Sequence, residues 1–205
     1  MYILNQAIDR GFSSKLVFSP PDFLLMPIAL NILLMLCLAL QTFPTFLGIK
    51  RNSNSFESIL FVLIPVVAQI LFFWIGHLLG NNFFYLMQDF KTIVVFIGFF
   101  IIGIRFVVDA FAVRKGKRTF KAENILQITL VSIAQSTNTF LLGLLFCFFN
   151  INLLQTLSFL GLATLIFSLS GILSNASKRN LALSSLLILS GGIFMILSSF
   201  YLAFL

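Results

Sequence analysis

Long apolar runs separated by short polar breaks dominate the chain. Six such runs can be drawn, at about residues 23–48, 58–80, 90–113, 124–149, 151–174 and 181–204. Each is near the roughly 20 residues that a helix needs to cross the hydrocarbon core of a bilayer. The pattern therefore predicts an all-α, polytopic membrane protein with six transmembrane helices. The breaks are Lys50-Arg51-Asn52-Ser53-Asn54, Asn81-Asn82, Arg114-Lys115-Gly116-Lys117-Arg118, Asn150-Ile151-Asn152 and Asn175-Ala176-Ser177-Lys178-Arg179. Residues 1–22 mix polar and apolar positions and run through Ser19-Pro20-Pro21, which predicts an N-terminal surface segment ahead of one membrane domain over 23–205. The first long run begins too late and is too long for a signal peptide, and no small-residue cleavage site follows it.

Composition narrows the class. The chain has 205 residues, 60% of them hydrophobic, 27 of them Phe and only 9% charged, against about 25% charged in soluble domains. Mean hydropathy is +1.08. Six spans of about 20 residues with short connections account for nearly all of these residues, so no domain outside the membrane is expected among them. Cys37 and Cys147 lie far apart inside apolar runs, which is the setting of buried small hydrophobes rather than of a disulfide framework or a metal knuckle.

The net charge of +7 would suggest nucleic acid in a soluble protein. Here the cations fall in alternate connections, which makes them topology signals, and no nucleic-acid partner is expected. Lys50, Arg51, Arg114, Lys115, Lys117, Arg118, Lys121, Lys178 and Arg179 occupy the first, third and fifth connections, while the second and fourth hold Asn and little charge. The positive-inside rule puts the basic loops in the cytoplasm and both termini outside. Asp22, Glu57, Asp89 and Glu123 each stand at or just before the start of a span, where a carboxylate offsets the positive end of a helix dipole. Asp109 is left as the carboxylate within a span.

Polar side chains inside a bilayer cost free energy and tend to face other helices or a wet cavity. The candidates are Asn31 and Gln41 in the first span, Gln69 and His77 in the second, Arg105 and Asp109 in the third, and Gln127, Gln135 and Asn138 in the fourth. Gln41 belongs to Leu40-Gln41-Thr42-Phe43-Pro44-Thr45, where Pro44 has no N–H to offer the carbonyl of Leu40. A kink there exposes polar backbone, tolerated at membrane depth only against protein or water; either a packed kink or a binding site fits. Gln135-Ser136-Thr137-Asn138-Thr139 is five polar residues in a row, too many for one helix face, so part of it should meet a cavity or closely packed helices. Arg105 and Asp109 are four apart and can neutralise one another as an intramembrane ion pair. His77 has no second His or Cys at ligand spacing and is expected as a polar residue near the outer interface. Small residues such as Gly161, Thr164, Ser168 and Gly171 suit close helix packing.

Gln41-Thr42-Phe43 and Asn138-Thr139-Phe140 stand 97 residues apart, close to half the spanning region. Three spans per half make the halves enter from opposite sides, so the expected architecture is two inverted three-helix repeats, about 23–113 and 124–204, with a site at their interface. Measured from the cytoplasmic ends of their spans, Gln41, Gln69 and Asn138 lie roughly 10–20 Å deep at about 1.5 Å per residue. They can meet near the midplane.

These residues together resemble the manganese efflux pump family of bacterial inner membranes, within the wider lysine-exporter superfamily. Ala134-Gln135-Ser136-Thr137-Asn138-Thr139-Phe140 stands where that family has a small-Thr-Ser-Leu-Asp-Ala pattern, Ala163-Thr164-Leu165-Ile166-Phe167-Ser168 follows at the family's spacing, and Gly103-Ile104-Arg105-Phe106-Val107-Val108-Asp109 resembles its basic residue, three apolar positions and acid. The resemblance covers residues 30 to 200. It implies an inner-membrane transporter working by alternating access, with substrate or ion contacts at Gln41, Thr42, Gln69, Asn138 and Thr139, and Gln41, Gln69 and Asn138 as candidates for holding a metal cargo. The family's acids of the first and fourth spans fall at Gln41 and Asn138 and its acidic or amide position of the second span at Gln69, all amides here; Asp109 alone keeps the acid. Mn²⁺ prefers carboxylate and carbonyl oxygens, and amides bring no charge to offset a divalent ion in the membrane. The expected cargo is therefore a cation held by neutral oxygens or a small solute. A non-transporting membrane subunit, in a homodimer or a larger complex, is the competing expectation. The chain lacks a phosphate loop and a nucleophile–base constellation, so neither an enzyme nor a cofactor is expected.

Overall fold

A computed structural model describes residues 27–47, 55–116, 125–174 and 177–203. The surface segment expected over 1–22, the acids Asp22 and Glu123, and the basic residues Lys50, Arg51, Lys117, Arg118 and Lys121 lie outside the described residues, as does the side chain of Glu57. Every long element is helical: α1 (Ile28–Leu40), α2 (Thr42–Phe46), α3 (Ser55–Met87), α4 (Lys91–Arg114), α5 (Ile125–Leu145), α6 (Leu153–Leu173) and α7 (Lys178–Ala203). One-turn 3₁₀ segments, Gln88–Phe90 and Phe146–Phe148, follow α3 and α5.

Five stretches are long and apolar enough to cross a membrane: Ile28–Phe46, Ile59–Arg114, Ile125–Phe148, Leu153–Leu173 and Lys178–Leu202. The protein is a polytopic membrane protein on this ground. The second stretch is 56 residues long, and it doubles back. On a continuous helix Gly80 and Gly98 would be about 27 Å apart at 1.5 Å per residue, yet a Cβ on either would meet the Leu144–Cys147 region of the α5 end. The reversal falls at Gln88–Phe90, where Asp89 stands at the start of α4 as its sequence position predicts.

This corrects the expected end of the second span. The helix does not stop at Asn81-Asn82 but continues to Met87. Asn costs an exposed helix only a few tenths of a kcal/mol more than good helix formers, whereas the extra turns seat Phe84, with its ring 5.6 Å from that of Phe148. The first span is also not one kinked helix. Pro44 has no N–H for Leu40, and the chain breaks at Gln41, whose N–H bonds the Leu38 carbonyl at 3.4 Å before the helix resumes at Thr42. The Thr42 hydroxyl donates to the carbonyl of Ala39 at 2.7 Å, turning back onto the helix that precedes the break.

Contacts along the helices give their relative directions. Asn31 meets Thr156 at one end of the α1–α6 pair and Phe43 and Phe46 meet Gly171 at the other, so these helices run parallel. α3 and α5 are also parallel: Gly76 lies against Phe140 and Leu144, and Gly80 against Leu144 and Cys147. α4 and α7 are antiparallel, with Ser185 donating to the carbonyl of Ala110 at 2.8 Å, Gly103 against Gly192, and Phe96 against Phe200. Glycines set the closest approaches. A Cβ on Gly76 would collide with the backbone oxygen of Phe140, and one on Gly143 with that of Phe73. Both glycines lie where α3 crosses α5, the close backbone packing that replaces the hydrophobic effect between helices in lipid.

The core is dense with aromatic rings: Phe73, Phe99 and Phe146 are fully buried, and Phe73 meets Phe146 edge to face at 5.4 Å. Outward positions carry Leu, Ile and Val, among them Leu130, Leu154, Leu162 and Leu197, as a lipid-facing surface should. Cys37 and Cys147 are buried and free, in keeping with their reading as small hydrophobes.

Candidate functional site at the break in the first helix

The break at Gln41 faces the polar run of α5. Gln41 is buried, and three hydrogen bonds tie it to that helix. Its Nε2 donates to the Gln135 carbonyl at 3.3 Å, its own carbonyl accepts from Gln135 Nε2 at 3.0 Å, and its Oε1 accepts from Asn138 Nδ2 at 2.9 Å. Gln135 Nε2 also donates to the hydroxyl of Thr45. The carbonyl of Gln41 at the break is thus met by an amide of the polar run, and the break and the run, each costly alone, partly satisfy one another.

They do not satisfy everything. Asn138 Oδ1, Gln135 Oε1 and the Thr139 hydroxyl are buried with no hydrogen-bond partner among the described residues. Asn138 and Thr139 are only 1% and 0% exposed, so these groups are shielded from bulk solvent. An unsatisfied buried acceptor costs about 1–3 kcal/mol. Oxygens left bare in one place are what a cation or a hydrogen-bond-donating solute would use.

Gln69 is buried on α3 and approaches α6, where the Thr164 hydroxyl lies 3.3 Å from Gln69 Oε1 and 2.7 Å from the Leu160 carbonyl. Gln69 Nε2 has no partner among the described residues. Gln41 and Asn138 are brought into direct contact, therefore, whereas Gln69 meets a hydroxyl of a different helix. Thr42 is fully buried, its hydroxyl turned back on α1. On α4, Asp109 is buried and Arg105 half-buried one turn earlier. His77 is half-buried beside Gly143, ten residues short of the end of α3; it lies deeper in its helix than the interface position expected for it.

Thr164 and Ser168 take part in, or lie beside, this polar interior although their residue types suggested packing alone, and Thr45 of the broken stretch joins it through Gln135. A signal was present: Thr156, Thr164 and Ser168 share one face of α6 at multiples of four residues, and all three are fully buried. Spacing alone does not tell a packing face from a polar one. By contrast, a groove of about 350 Å³ between α3 and α6, lined by Ile59, Val62, Leu63, Leu165, Leu169 and Leu173, is apolar throughout and suited to lipid chains. Among the described residues no three His, Cys, Asp or Glu side chains gather as a metal site, which leaves amide, hydroxyl and backbone oxygens as the donors at the break.

Comparison with known proteins gives one match. The family model Mntp, described as "Putative manganese efflux pump", matches residues 53–202. No curated protein and no solved structure matches the chain.

Proposed function

Because the chain belongs to the manganese efflux pump family, we propose that it is a transporter built from two inverted three-helix repeats, about 23–113 and 124–204, whose substrate site is the amide cluster around Gln41 and Asn138. That family is one of transporters, not enzymes. The observation that carries the reading is the 2.9 Å hydrogen bond between Gln41 and Asn138. These are corresponding positions of the two halves, and side chains related by a two-fold axis meet each other only at that axis. Gln69 of the first half and Thr164 of the second, 95 residues apart, also meet across the halves.

Helix directions support the repeat independently. Exchange of the halves turns α1 into α5, α6 into α3 and α4 into α7. The parallel α1–α6 pair then becomes the parallel α5–α3 pair, and the antiparallel α4–α7 pair maps onto itself. A site on such an axis is reachable from either side when one half rocks against the other. Lys115, Lys178 and Arg179 at the ends of α4 and α7 support a cytoplasmic placement of those ends, with both termini outside, in a bacterial inner membrane.

The donors are neutral. Asn138 Oδ1, Gln135 Oε1 and Thr139 Oγ1 would hold a cation without balancing its charge, so binding is weak and a cation such as Mn²⁺, or a small polar solute, passes without being trapped. The test is flux into vesicles carrying the full chain, with Gln41→Leu and Asn138→Leu compared with wild type. A loss of flux of at least tenfold in both is expected; unchanged flux in both overturns the site.

One observation favours a second reading, a membrane subunit that keeps the bundle without transporting. Two carboxylates at the Gln41–Asn138 distance would repel unless a cation or proton lay between them, whereas these amides close on one another unaided. A stoichiometric protein partner in mild detergent, together with no flux, would favour it.

A further inference from the structure

The polar interior does not end at the helix break. Three residues into α1, Asn31 donates through Nδ2 to the hydroxyl of Thr156 at 2.8 Å. Thr156 in turn donates to the carbonyl of Asn152, the residue that caps α6 with its own side chain. Asn31 is 7% exposed and its Oδ1 has no partner among the described residues. Between this pair and the Gln69–Thr164 contact lie Leu34, Leu38 and Leu160, all fully buried, and Thr156 and Thr164 are separated by about 12 Å of helix at 1.5 Å per residue.

We propose that Asn31 and Thr156 form a second, outer substrate station on the transport path, closed off from the central amide cluster by the leucines between them. The inference rests on the transporter reading above and extends it to the outer end of α1 and α6. Its ligand is of the same chemistry as that of the central cluster, a cation or donor-bearing solute taken by the bare Asn31 Oδ1.

Packing alone does not ask for this pair. At the 97-residue offset that relates Gln41 to Asn138, Asn31 corresponds to Ile128, and Ile128 packs in an apolar cluster with Phe46 and Phe61. The same helix junction is thus built from hydrocarbon at one end of the molecule and from a buried amide with an unmet acceptor at the other. The fold is content with hydrocarbon there. The asymmetry also gives the path a direction: polar side chains line the approach from the outer end, while phenylalanine and isoleucine seal the inner one.

The test is thiol accessibility in the full-length protein with Cys37→Ala and Cys147→Ala, in right-side-out vesicles, using a membrane-impermeant cationic thiol reagent. Asn31→Cys and Thr156→Cys are compared with Leu33→Cys, which lies at the same depth but on the half-exposed lipid side. Both test positions are expected to react from outside at least tenfold faster than Leu33→Cys. Millimolar MnCl₂ outside should slow them if the ligand is a divalent cation, and unslowed labelling directs the ligand to a neutral solute. Reaction no faster than Leu33→Cys, or reaction only from the cytoplasmic side, overturns the station. That outcome is separate from the fate of the central site, which the flux of Gln41→Leu and Asn138→Leu decides.

Discussion

Removing Gln41 and Asn138 singly and together tests the contact on which the site depends. Gln41→Leu takes away the acceptor of Asn138 Nδ2 and the donor to the Gln135 carbonyl. Asn138, whose Oδ1 is already bare, is then left with neither end paired. Asn138→Leu strands Gln41 Oε1 but also removes the bare oxygen, so it should cost less than Gln41→Leu. A buried polar group left unmet costs about 1–3 kcal/mol, whereas replacing both partners by apolar groups is nearly neutral. In membrane bundles, measured couplings between such pairs average about 0.6 kcal/mol and reach about 1.7. The cycle is therefore expected to return a coupling of about 0.6–1.7 kcal/mol, with the double variant more stable than the sum of the singles. Reversible unfolding in mixed micelles measures it. Additivity within about 0.3–0.5 kcal/mol, the range for sites that do not touch, refutes the contact. Flux adds a second readout, because the double variant should be folded and stable yet transport nothing. If it transports like wild type, the amides are structural.

Three further outcomes follow from the same geometry. Gln41→Glu with Asn138→Asp should bind Mn²⁺ at least tenfold more tightly than wild type by calorimetry, since the carboxylates repel until a divalent cation joins them; unchanged binding would remove this cluster as a cation site. Gly76→Ala and Gly143→Ala should each destabilise by about 1–3 kcal/mol, the usual cost of overpacking, because the added Cβ meets backbone of the facing helix. Gly191→Ala, whose Cβ would sit 3.5 Å from Leu40 at ordinary contact distance, should be close to neutral or slightly stabilising in the same thermal melts, since Ala is the better helix former; equal losses at all three glycines would refute close backbone approach as what distinguishes them.

How much was legible in advance can be followed residue by residue. The helical membrane class was fixed by the apolar runs, because a backbone in hydrocarbon must satisfy its own hydrogen bonds and a helix does so within one segment. Pro44 marked the break at Gln41, since a missing N–H is a property of the residue itself. Likewise Gln135 to Thr139 could be known as polar and membrane-embedded from their order alone. The end of α3 was not legible: Asn81-Asn82 is a weak stop, and the contact of Phe84 with Phe148, some sixty residues away, outweighs it. Nor was the partner of Gln69. Thr164 reads as a packing residue, and only the crossing of α3 and α6 turns its hydroxyl towards an amide.

The sequence by itself determined which segments are helical, where the first helix breaks and which side chains are costly in lipid, because hydropathy, proline chemistry and side-chain polarity are local. Only the tertiary structure decided which of those costly groups meet. The Gln41–Asn138 and Asn31–Thr156 contacts join residues 97 and 125 positions apart, and the oxygens left bare beside them depend on the angle and depth at which whole helices cross, which no short stretch of chain specifies.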